Sequence, residues 1–515
     1  MSRAVAIVAL TWAVPAHGDD AVERRGSGEA AGTELDLRLT LSSFLYRQSG
    51  DAAAPFVGDG APVDSASPVR RYFSDLRLEI ADTGITFDGR IRQTTSERYQ
   101  SGAGSGGEYE IRTLSGRIGS TRTALVLGRQ VVDAVGSTKI DGATLIQRLT
   151  STWSASLFGG AYPALGSRSL ETDYPAIRKA DGAEGSPLAP LTGGLGIGYN
   201  TPDLHGDVGL AAVYVAQDVP EATSTEGTRV FATATGYARP APWLDLYHFA
   251  ILDVAGSSAG TLTNGSLGIN AHASSAVQVS ASIHHVSAEL FQIAARNALA
   301  DPDPDSIGIV QNDIAVIRVS QDVARAGASV ALVRSRFEIS ASGGYHRRPG
   351  VAVALADGGT LAFPEAKYAD ATLTVLDRKS IGGLRASASA SLTMPLGGDS
   401  PNRSRGAIVR VMVGRAFHDS RAELTADVMA ERFRATSSDG MCSDSLDLFR
   451  CFSASTTEAA QAGVLGSYRV AREWLVLLDA HAGLQKLDSV TLMGPVTFPR
   501  VFSLTMFARV QWRYR

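Results

Sequence analysis

The chain has 515 residues, with 48 Lys and Arg against 52 Asp and Glu, and a formal net charge of −4 at pH 7. This balance excludes the strongly basic character that nucleic-acid binding requires, so we expect no nucleic-acid partner. Hydrophobic residues make up 44% of the chain and charged residues 19%. The apolar residues alternate with polar ones over most of the length, which favours strands over helices.

The N-terminus has the three parts of a secretory signal peptide. Arg3 supplies the positive flank, Ala4 to Val14 form an apolar stretch, and Ala16-His17-Gly18 is a small-x-small cleavage site. The apolar stretch is too short for a transmembrane helix, which needs about 20 residues. We therefore predict a signal peptide at 1–18, export, and a short polar segment at 19–34 before the first strand.

The first strand and the hairpin that follows it have one apolar and one charged face. Leu35, Leu37, Leu39 and Leu41 alternate with polar residues that include Arg38. In the next two strands, a turn at Asp82-Thr83 would pair Ile80 with Ile85 and Leu78 with Phe87. The same register sets Arg77 opposite Asp88 and Asp75 opposite Arg90, where opposite charges attract. Charge on a whole sheet face indicates a hydrated surface.

The alternation repeats to the C-terminus, with a tally of about 22 strands and a range of about 18 to 24. Long connections all fall on the same side of this up-and-down series, as in membrane barrels, which place short turns on one side and long loops on the other. We therefore predict an all-β fold, a transmembrane antiparallel up-and-down β-barrel over residues 35–515. The predicted external loops are 47–69, 163–190, 288–325, 348–366 and 435–456.

The polar face of this barrel supplies the candidate lumen residues. A turn at His418-Asp419 would set Val413 opposite Leu424, Val411 opposite Ala426 and Arg410 opposite Asp427. Charged residues from other strands share that face. The complete set of predicted lumen-lining residues is Arg38, Asp75, Arg77, Asp88, Arg90, Arg385, Arg410, Asp427 and Arg509.

The last strand, Val501 to Arg515, has the clearest apolar face. Phe502, Trp512 and Tyr514 lie on it, and large rings with polar tips are typical of a membrane interface. The segment resembles the closing strand of bacterial outer-membrane β-barrels, although here Arg515 follows the terminal aromatic residue. The resemblance implies an outer-membrane location in a Gram-negative cell, an aromatic belt, and recognition of this strand by the barrel-insertion machinery. The expected surroundings are outer-membrane lipid and lipopolysaccharide.

Cys442 and Cys451 are the two cysteines of the chain, and both lie in one polar loop. In an exported protein such a pair predicts a local disulfide, whereas a metal site would need further ligands nearby. Glycine-rich matches at 102–107 and 256–260 join strands and lack the helix that their chemistry requires. We predict no catalytic residue, no cofactor and no metal.

A short stretch is similar to porin-type and alginate-export-type barrels: Leu127-Gly128-Arg129-Gln130 followed by Asp141-Gly142. The resemblance implies a porin-like channel for passive or facilitated passage of small polar solutes, and no enzymatic activity. In a barrel of this size, loops must fold inward to restrict the lumen, and we expect this of 163–190 and 288–325. The alternatives are a structural or adhesive surface protein with a closed lumen, an outer-membrane hydrolase, and a soluble exported β-sandwich array.

Overall fold

The computed structural model describes the strands and the shorter connections of the chain. The described residues are 36–49, 69–81, 84–96, 107–163, 174, 176–178, 184–187, 190–214, 228–255, 259–287, 320–332, 336–354, 360–363, 365–381, 383–397, 402–417, 421–437, 452–491, 494–497 and 500–514. Within these residues, no helix is both long enough and apolar enough to cross a bilayer.

The wall of the molecule is a closed barrel of 22 antiparallel strands. Its first half consists of β1 (Asp36–Ser49), β2 (Val69–Ala81), β3 (Ile85–Ser96), β4 (Gly107–Gly119), β5 (Thr123–Val132), β6 (Thr138–Arg148), β7 (Trp153–Ala161), β8 (Leu191–Asn200), β9 (Leu204–Tyr214), β10 (Thr228–Ala241) and β11 (Leu244–Ala255). The second half consists of β12 (Leu262–His272), β13 (Val277–Ser287), β14 (Ser320–Leu332), β15 (Phe337–Arg348), β16 (Ala366–Ile381), β17 (Leu384–Pro395), β18 (Asn402–Phe417), β19 (Ala422–Ser437), β20 (Phe452–Arg469), β21 (Trp474–Thr491) and β22 (Val501–Tyr514).

Each strand pairs with its neighbours in sequence, and β22 pairs with β1 to close the wall. The described residues also include five short strands that are not among the 22 of the wall and lie on the side of the long connections. They are Ala176–Arg178 with Glu184–Pro187, Val351–Ala354 with Thr360–Phe363, and Gly494–Thr497, which pairs with the end of β21. Closure leaves no exposed sheet edge, which a sheet in hydrocarbon cannot have. The predicted fold class and strand number are confirmed.

The two hairpin registers that we predicted are wrong by two residues. Ile80 pairs with Phe87 and Arg77 with Arg90, and in the second hairpin Val413 pairs with Ala426. The last pairs are Ala81 with Thr86 and Phe417 with Ala422, so four residues separate the strands where we assumed two. Two-residue turns favour Asn-Gly or Asp-Gly, and neither 82–83 nor 418–419 has that sequence. A shift of two residues leaves every side chain on its predicted face.

Several strands extend into segments that we assigned to loops. β14 begins at Ser320, within the predicted loop 288–325, and β1 continues to Ser49. β19 ends at Ser437 and β20 begins at Phe452, which shortens the predicted loop 435–456 from both ends. Residues 1–34, most of 163–190 and both cysteines lie outside the described residues.

One face of the wall is apolar and exposed, and we call it the outer face. Leu41, Leu157 and Val208 are examples, with 49%, 59% and 62% of their surface exposed. One group of aromatic residues on this face lies at the end with the short turns, where the rings of Trp474 and Trp512 lie 6.4 Å apart. The members of this belt are Trp153, Tyr199, Phe417, Tyr468, Trp474, Trp512 and Tyr514. Such a belt marks the interface between bilayer and water.

The opposite face is concave, and we call it the interior face. The 3-10 turn Asp133–Val135 connects β5 to β6 and packs against β8, β9 and β10 across the inside of the wall. Val135 is fully buried there. We call residues 133–137 the inward segment. The strand residues that it contacts lie on the same face as the charged side chains, which identifies that face as the interior one.

Candidate functional site: the interior face

Charged side chains of β1 to β4 lie together on the interior face in two adjacent ion-paired groups, which we call the network. The guanidinium of Arg77 donates two hydrogen bonds to Asp88, from Nε at 2.9 Å and from Nη2 at 2.7 Å. Arg90 donates to Asp75 in the same way, at 2.7 and 2.5 Å. These pairs are diagonal neighbours, since Arg77 lies directly opposite Arg90. Two-point pairing fixes both guanidinium planes, which holds the charges at set positions on the wall.

Further contacts extend this network to both sides. Glu79 lies 2.6 Å from Arg77 and 3.3 Å from Arg38. Glu110 lies 3.1 Å from Arg112 and 3.9 Å from Arg90. Arg92 lies 3.6 Å from Asp75. The network therefore holds five arginines and four carboxylates, a net charge of +1, and its members are Arg38, Arg77, Arg90, Arg92, Arg112, Asp75, Glu79, Asp88 and Glu110.

A second charged group lies on β18, β19 and β21. Asp427 is almost fully buried, with 3% of its side chain exposed; its Oδ2 accepts a hydrogen bond from Arg410 Nε at 3.1 Å and lies 3.0 Å from Nη2. His481 lies beside it, with Nδ1 3.6 Å from Asp427 Oδ1 and Nε2 2.5 Å from Asp479 Oδ1. Gly463 makes room for this arrangement, since a Cβ there would come within 2.0 Å of the imidazole.

A third group combines an imidazole, a carboxylate and a phenol on β15 and β16. His346 contacts Asp370 through Nε2, and its ring stacks on Tyr368 with a centroid distance of 4.3 Å and an interplanar angle of 6°. Arg325 of β14 lies 3.8 Å from Asp370 and keeps 57% of its side chain exposed. This arginine is therefore open to the space that the barrel encloses.

Short hydroxyl side chains cover the interior face between these groups. Thr372 and Ser391 hydrogen-bond across their strands at 2.9 Å. Other members of this surface are Ser280, Ser282, Ser329, Ser340, Ser342, Thr374, Ser387 and Ser389. The interior thus has a charged sector on β1 to β4 and a hydroxyl sector on β13 to β17.

The inward segment rests on glycines of the interior face. A Cβ at Gly196 would come within 2.5 Å of Ala134 Cβ, and one at Gly209 within 2.3 Å of Ala134 O. The turn itself ends at Gly136 with φ of 63°, which favours glycine. The cluster of buried apolar residues beside it consists of Val132, Val135, Ile140, Phe158, Tyr162, Ala211, Val213 and Phe231. These contacts hold a chain segment inside the barrel, where it reduces the open cross-section.

All nine predicted lumen residues lie on the interior face, and seven of them belong to the two charged groups. The remaining two have other partners: Arg385 lies 3.2 Å from Glu423, and the Arg509 guanidinium lies 5.1 Å from the ring centre of Phe507. We did not identify Glu79, Arg92, Glu110, His481 or the inward segment. The first four follow the same alternation and are ionisable, so the pattern contained the signal. The inward segment has no such signal, because its contacts are with strands distant in sequence.

Phe502, Trp512 and Tyr514 lie on the outer face of β22, and the rings of Trp512 and Tyr514 are 6.3 Å apart. Arg129 donates two hydrogen bonds to Asp141, at 2.6 and 2.5 Å, and Tyr174 donates a third to the same carboxylate at 2.6 Å. This contact joins the Arg129-Gln130 and Asp141-Gly142 stretches and attaches the connection after β7 to the wall.

No protein-family model matches the chain, and no curated protein matches it. Solved structures that resemble it include OccAB1 of Acinetobacter baumannii, with a TM-score of 0.38 and 7% identity over 93% of this chain and 96% of that one. OpdQ of Pseudomonas aeruginosa has a TM-score of 0.36 and 9% identity over 93% of this chain and 98% of that one. OmpT, an outer membrane protein of Vibrio cholerae, has a TM-score of 0.27 and 10% identity over 94% of this chain and all of that one. Likeness at this level carries no argument about function.

The geometry of the barrel shows which class of β-barrel it belongs to. A closed, even-stranded antiparallel wall with short turns on one side, an apolar outer face and an aromatic belt is the architecture of outer-membrane barrels. The chain is a transmembrane β-barrel of this type.

Proposed function

We propose that the protein is an outer-membrane channel for passive or facilitated passage of small polar solutes. The observation that carries the proposal is the polar interior face, which presents charged groups on β1 to β4 and hydroxyl groups on β13 to β17. A barrel interior that is dry would leave these groups without water, at a cost of several kcal/mol for each unpaired charge. Water inside the barrel removes that cost.

The exposure of individual arginines supports a hydrated interior. Arg325 and Arg385 keep 57% and 54% of their side chains exposed. Their nearest carboxylates lie at 3.8 and 3.2 Å, each with a single close contact. Both arginines therefore remain available to passing solutes and ions.

The network on β1 to β4 supports selection among polar solutes. The guanidinium groups of Arg77 and Arg90 are held by two-point hydrogen bonds, so a solute meets fixed donors and acceptors of both signs. The hydroxyl sector adds neutral donors and acceptors. The inward segment narrows the lumen beside them. Solutes with several hydrogen-bonding groups fit such a path better than apolar ones.

The imidazole contacts favour a channel over a hydrolase. Among the described residues, neither His346 nor His481 has a hydrogen bond to a serine or threonine hydroxyl. His284 does contact Ser282 at 3.0 Å, but no described carboxylate contacts that imidazole. A nucleophile, a base and an orienting acid are therefore not assembled in the described interior.

Export through the signal peptide at 1–18 and insertion into the outer membrane of a Gram-negative cell belong to the same proposal. The apolar outer face and the aromatic belt support the membrane location. The N-terminal sequence supports the export route.

Conductance of the purified protein in a planar bilayer tests the proposal. We expect open-channel currents, and in R325E/R385E a shift of the reversal potential toward cation preference, because two interior positive charges become negative. The shift should grow at low salt, where the screening length rises to about 30 Å at 0.01 M. The control R432E/R434E makes the same charge change on the outer face and should leave the selectivity unchanged.

Two outcomes contradict the proposal. A correctly folded barrel without conductance has a closed lumen, which favours the structural or adhesive alternative. Currents whose selectivity is equal in wild type and R325E/R385E place the ion path away from these residues.

A further inference from the structure

A cluster of charged residues lies on the outer face of β18 to β21, at the end of the barrel with the long connections. Moving toward that end, the outer face of β21 changes from Leu484, which is 51% exposed, to Lys486 at the next outward position. On β18 the apolar series ends at Val409, and Arg405 follows after one alanine. The cluster therefore lies directly beyond the apolar band. Its members are Arg405, Arg432, Arg434, Glu458, Lys486 and Asp488.

The pairing within this cluster leaves two arginines without a counter-charge. Arg432 lies 3.3 Å from Glu458, and Lys486 lies 2.8 Å from Asp488. Arg405 and Arg434 are directly opposite each other on adjacent strands, and both are exposed. No described carboxylate lies within ion-pair distance of either. Like charges directly opposite each other destabilise a strand pair, so an anion that binds both arginines would stabilise this arrangement.

On β13 to β16 of the same rim, the outward ionisable groups are paired within the protein. His285 lies 2.6 Å from Asp322, and Glu365 lies 2.6 Å from both Lys367 and Arg347. Lys367 and Arg347 hold the pKa of the Glu365 carboxyl below its ordinary value, so it stays ionised there. Compared with β13 to β16, the cluster on β18 to β21 has an excess of positive charge.

We propose that Arg405 and Arg434 bind the phosphate groups of lipopolysaccharide in the outer leaflet around the barrel. Two features support this ligand. The arginines face the surrounding lipid, and they lie at the level where the apolar band ends and headgroups begin. Guanidinium groups bind phosphate by two-point hydrogen bonds, and basic residues at a membrane surface attract anionic headgroups. The proposal does not depend on whether the lumen conducts.

Native mass spectrometry of the folded full-length protein with bis-phosphorylated lipid A tests this site. Wild type should retain the lipid, and dephosphorylated lipid A should not be retained. The variant R405Q/R434Q should bind about thirtyfold more weakly, since each basic residue at a membrane surface contributes about fivefold. The charge-conserving variant R405K/R434K should keep most of the binding.

A control lies at the other end of these strands. Arg421 directly precedes β19 and Arg469 ends β20, and the Arg469 backbone N–H donates to the Arg421 carbonyl at 2.6 Å. R421Q/R469Q therefore removes two arginines at the short-turn end and should bind like wild type. If R405Q/R434Q does not fold, the single variants R405Q and R434Q are used instead. Each should bind lipid A about fivefold more weakly than wild type.

Three results would overturn the proposal. The first is equal retention of phosphorylated and dephosphorylated lipid A by wild type. The second is binding by folded R405Q/R434Q as strong as that of wild type. The third is complete displacement of lipid A by millimolar inorganic phosphate, which would make the pair a site for free phosphate and not for a lipid.

Discussion

Asp36 and Arg513 join the two ends of the barrel wall. The Arg513 guanidinium donates to the Asp36 carboxylate from Nε at 3.1 Å and from Nη2 at 2.9 Å, across 477 residues of sequence. The two side chains are 11% and 22% exposed, so the pair is largely shielded from water. It adds a charged contact to the seam where β1 meets β22.

We expect D36N to weaken this seam, because it removes the charge from two charge-assisted hydrogen bonds. Such bonds contribute about 1.5–3 kcal/mol each. The temperature at which the folded band converts to the unfolded band on SDS gels should fall. The exchanged double variant D36R/R513D should recover part of the loss. An unchanged conversion temperature in D36N would show that the backbone ladder alone holds the seam.

A side chain at position 209 should displace the inward segment. G209V places atoms where Ala134 O and Val135 now lie, within 2.3 and 2.5 Å of the new Cβ. Overpacking of this kind costs about 1–3 kcal/mol. The segment can move only toward the centre of the barrel, so single-channel conductance should decrease.

The control for this experiment is G159A, because the nearest atom to a Cβ at Gly159 is a backbone oxygen at 3.7 Å. G159A should conduct like wild type. Equal conductance of folded G209V and wild type would mean that the inward segment does not limit the ion path.

Tyr514 should contribute to assembly as part of the signal in the last strand. Refolding of Y514S into liposomes that contain the barrel-insertion machinery should be slower than that of wild type. The control Y468S removes an aromatic residue from the same belt but outside β22. If the two variants are slowed equally, the belt assists insertion in general and the last strand has no special role.

Cys442 and Cys451 should form a disulfide in an external loop, because an exported chain folds in an oxidising compartment. Thiol labelling of the unreduced, denatured protein should detect no free thiol. Labelling after reduction should detect two. Two labelled thiols without reduction would contradict the prediction.

Alternation of apolar and polar residues was sufficient to predict the strands, the two faces and the strand number. It could not fix the register, because a strand moved by two residues shows the same faces. Arg77 illustrates the point: it pairs with Asp88 as we expected, but diagonally and from a position opposite Arg90. Turn length, which the sequence encodes only weakly here, sets that difference.

The alternation of apolar and polar residues could not predict the inward segment. Its position depends on Gly196 and Gly209, which are distant in sequence and leave space for Ala134. We expected the longer connections 163–190 and 288–325 to fold inward, and neither 133–137 nor its neighbours stood out in sequence. Most of 163–190 and residues 288–319 lie outside the described residues, so that expectation stays a prediction.

The strands of the wall differ twofold in length. β7 has 9 residues, whereas β20 and β21 have 18 each. At about 3.3 Å per residue, the longer strands extend about 30 Å further along their own direction. Since all strands cross the same bilayer, this extra sheet extends beyond it along one sector of the wall only. A macromolecule that approaches from that sector meets a rigid hydrogen-bonded surface.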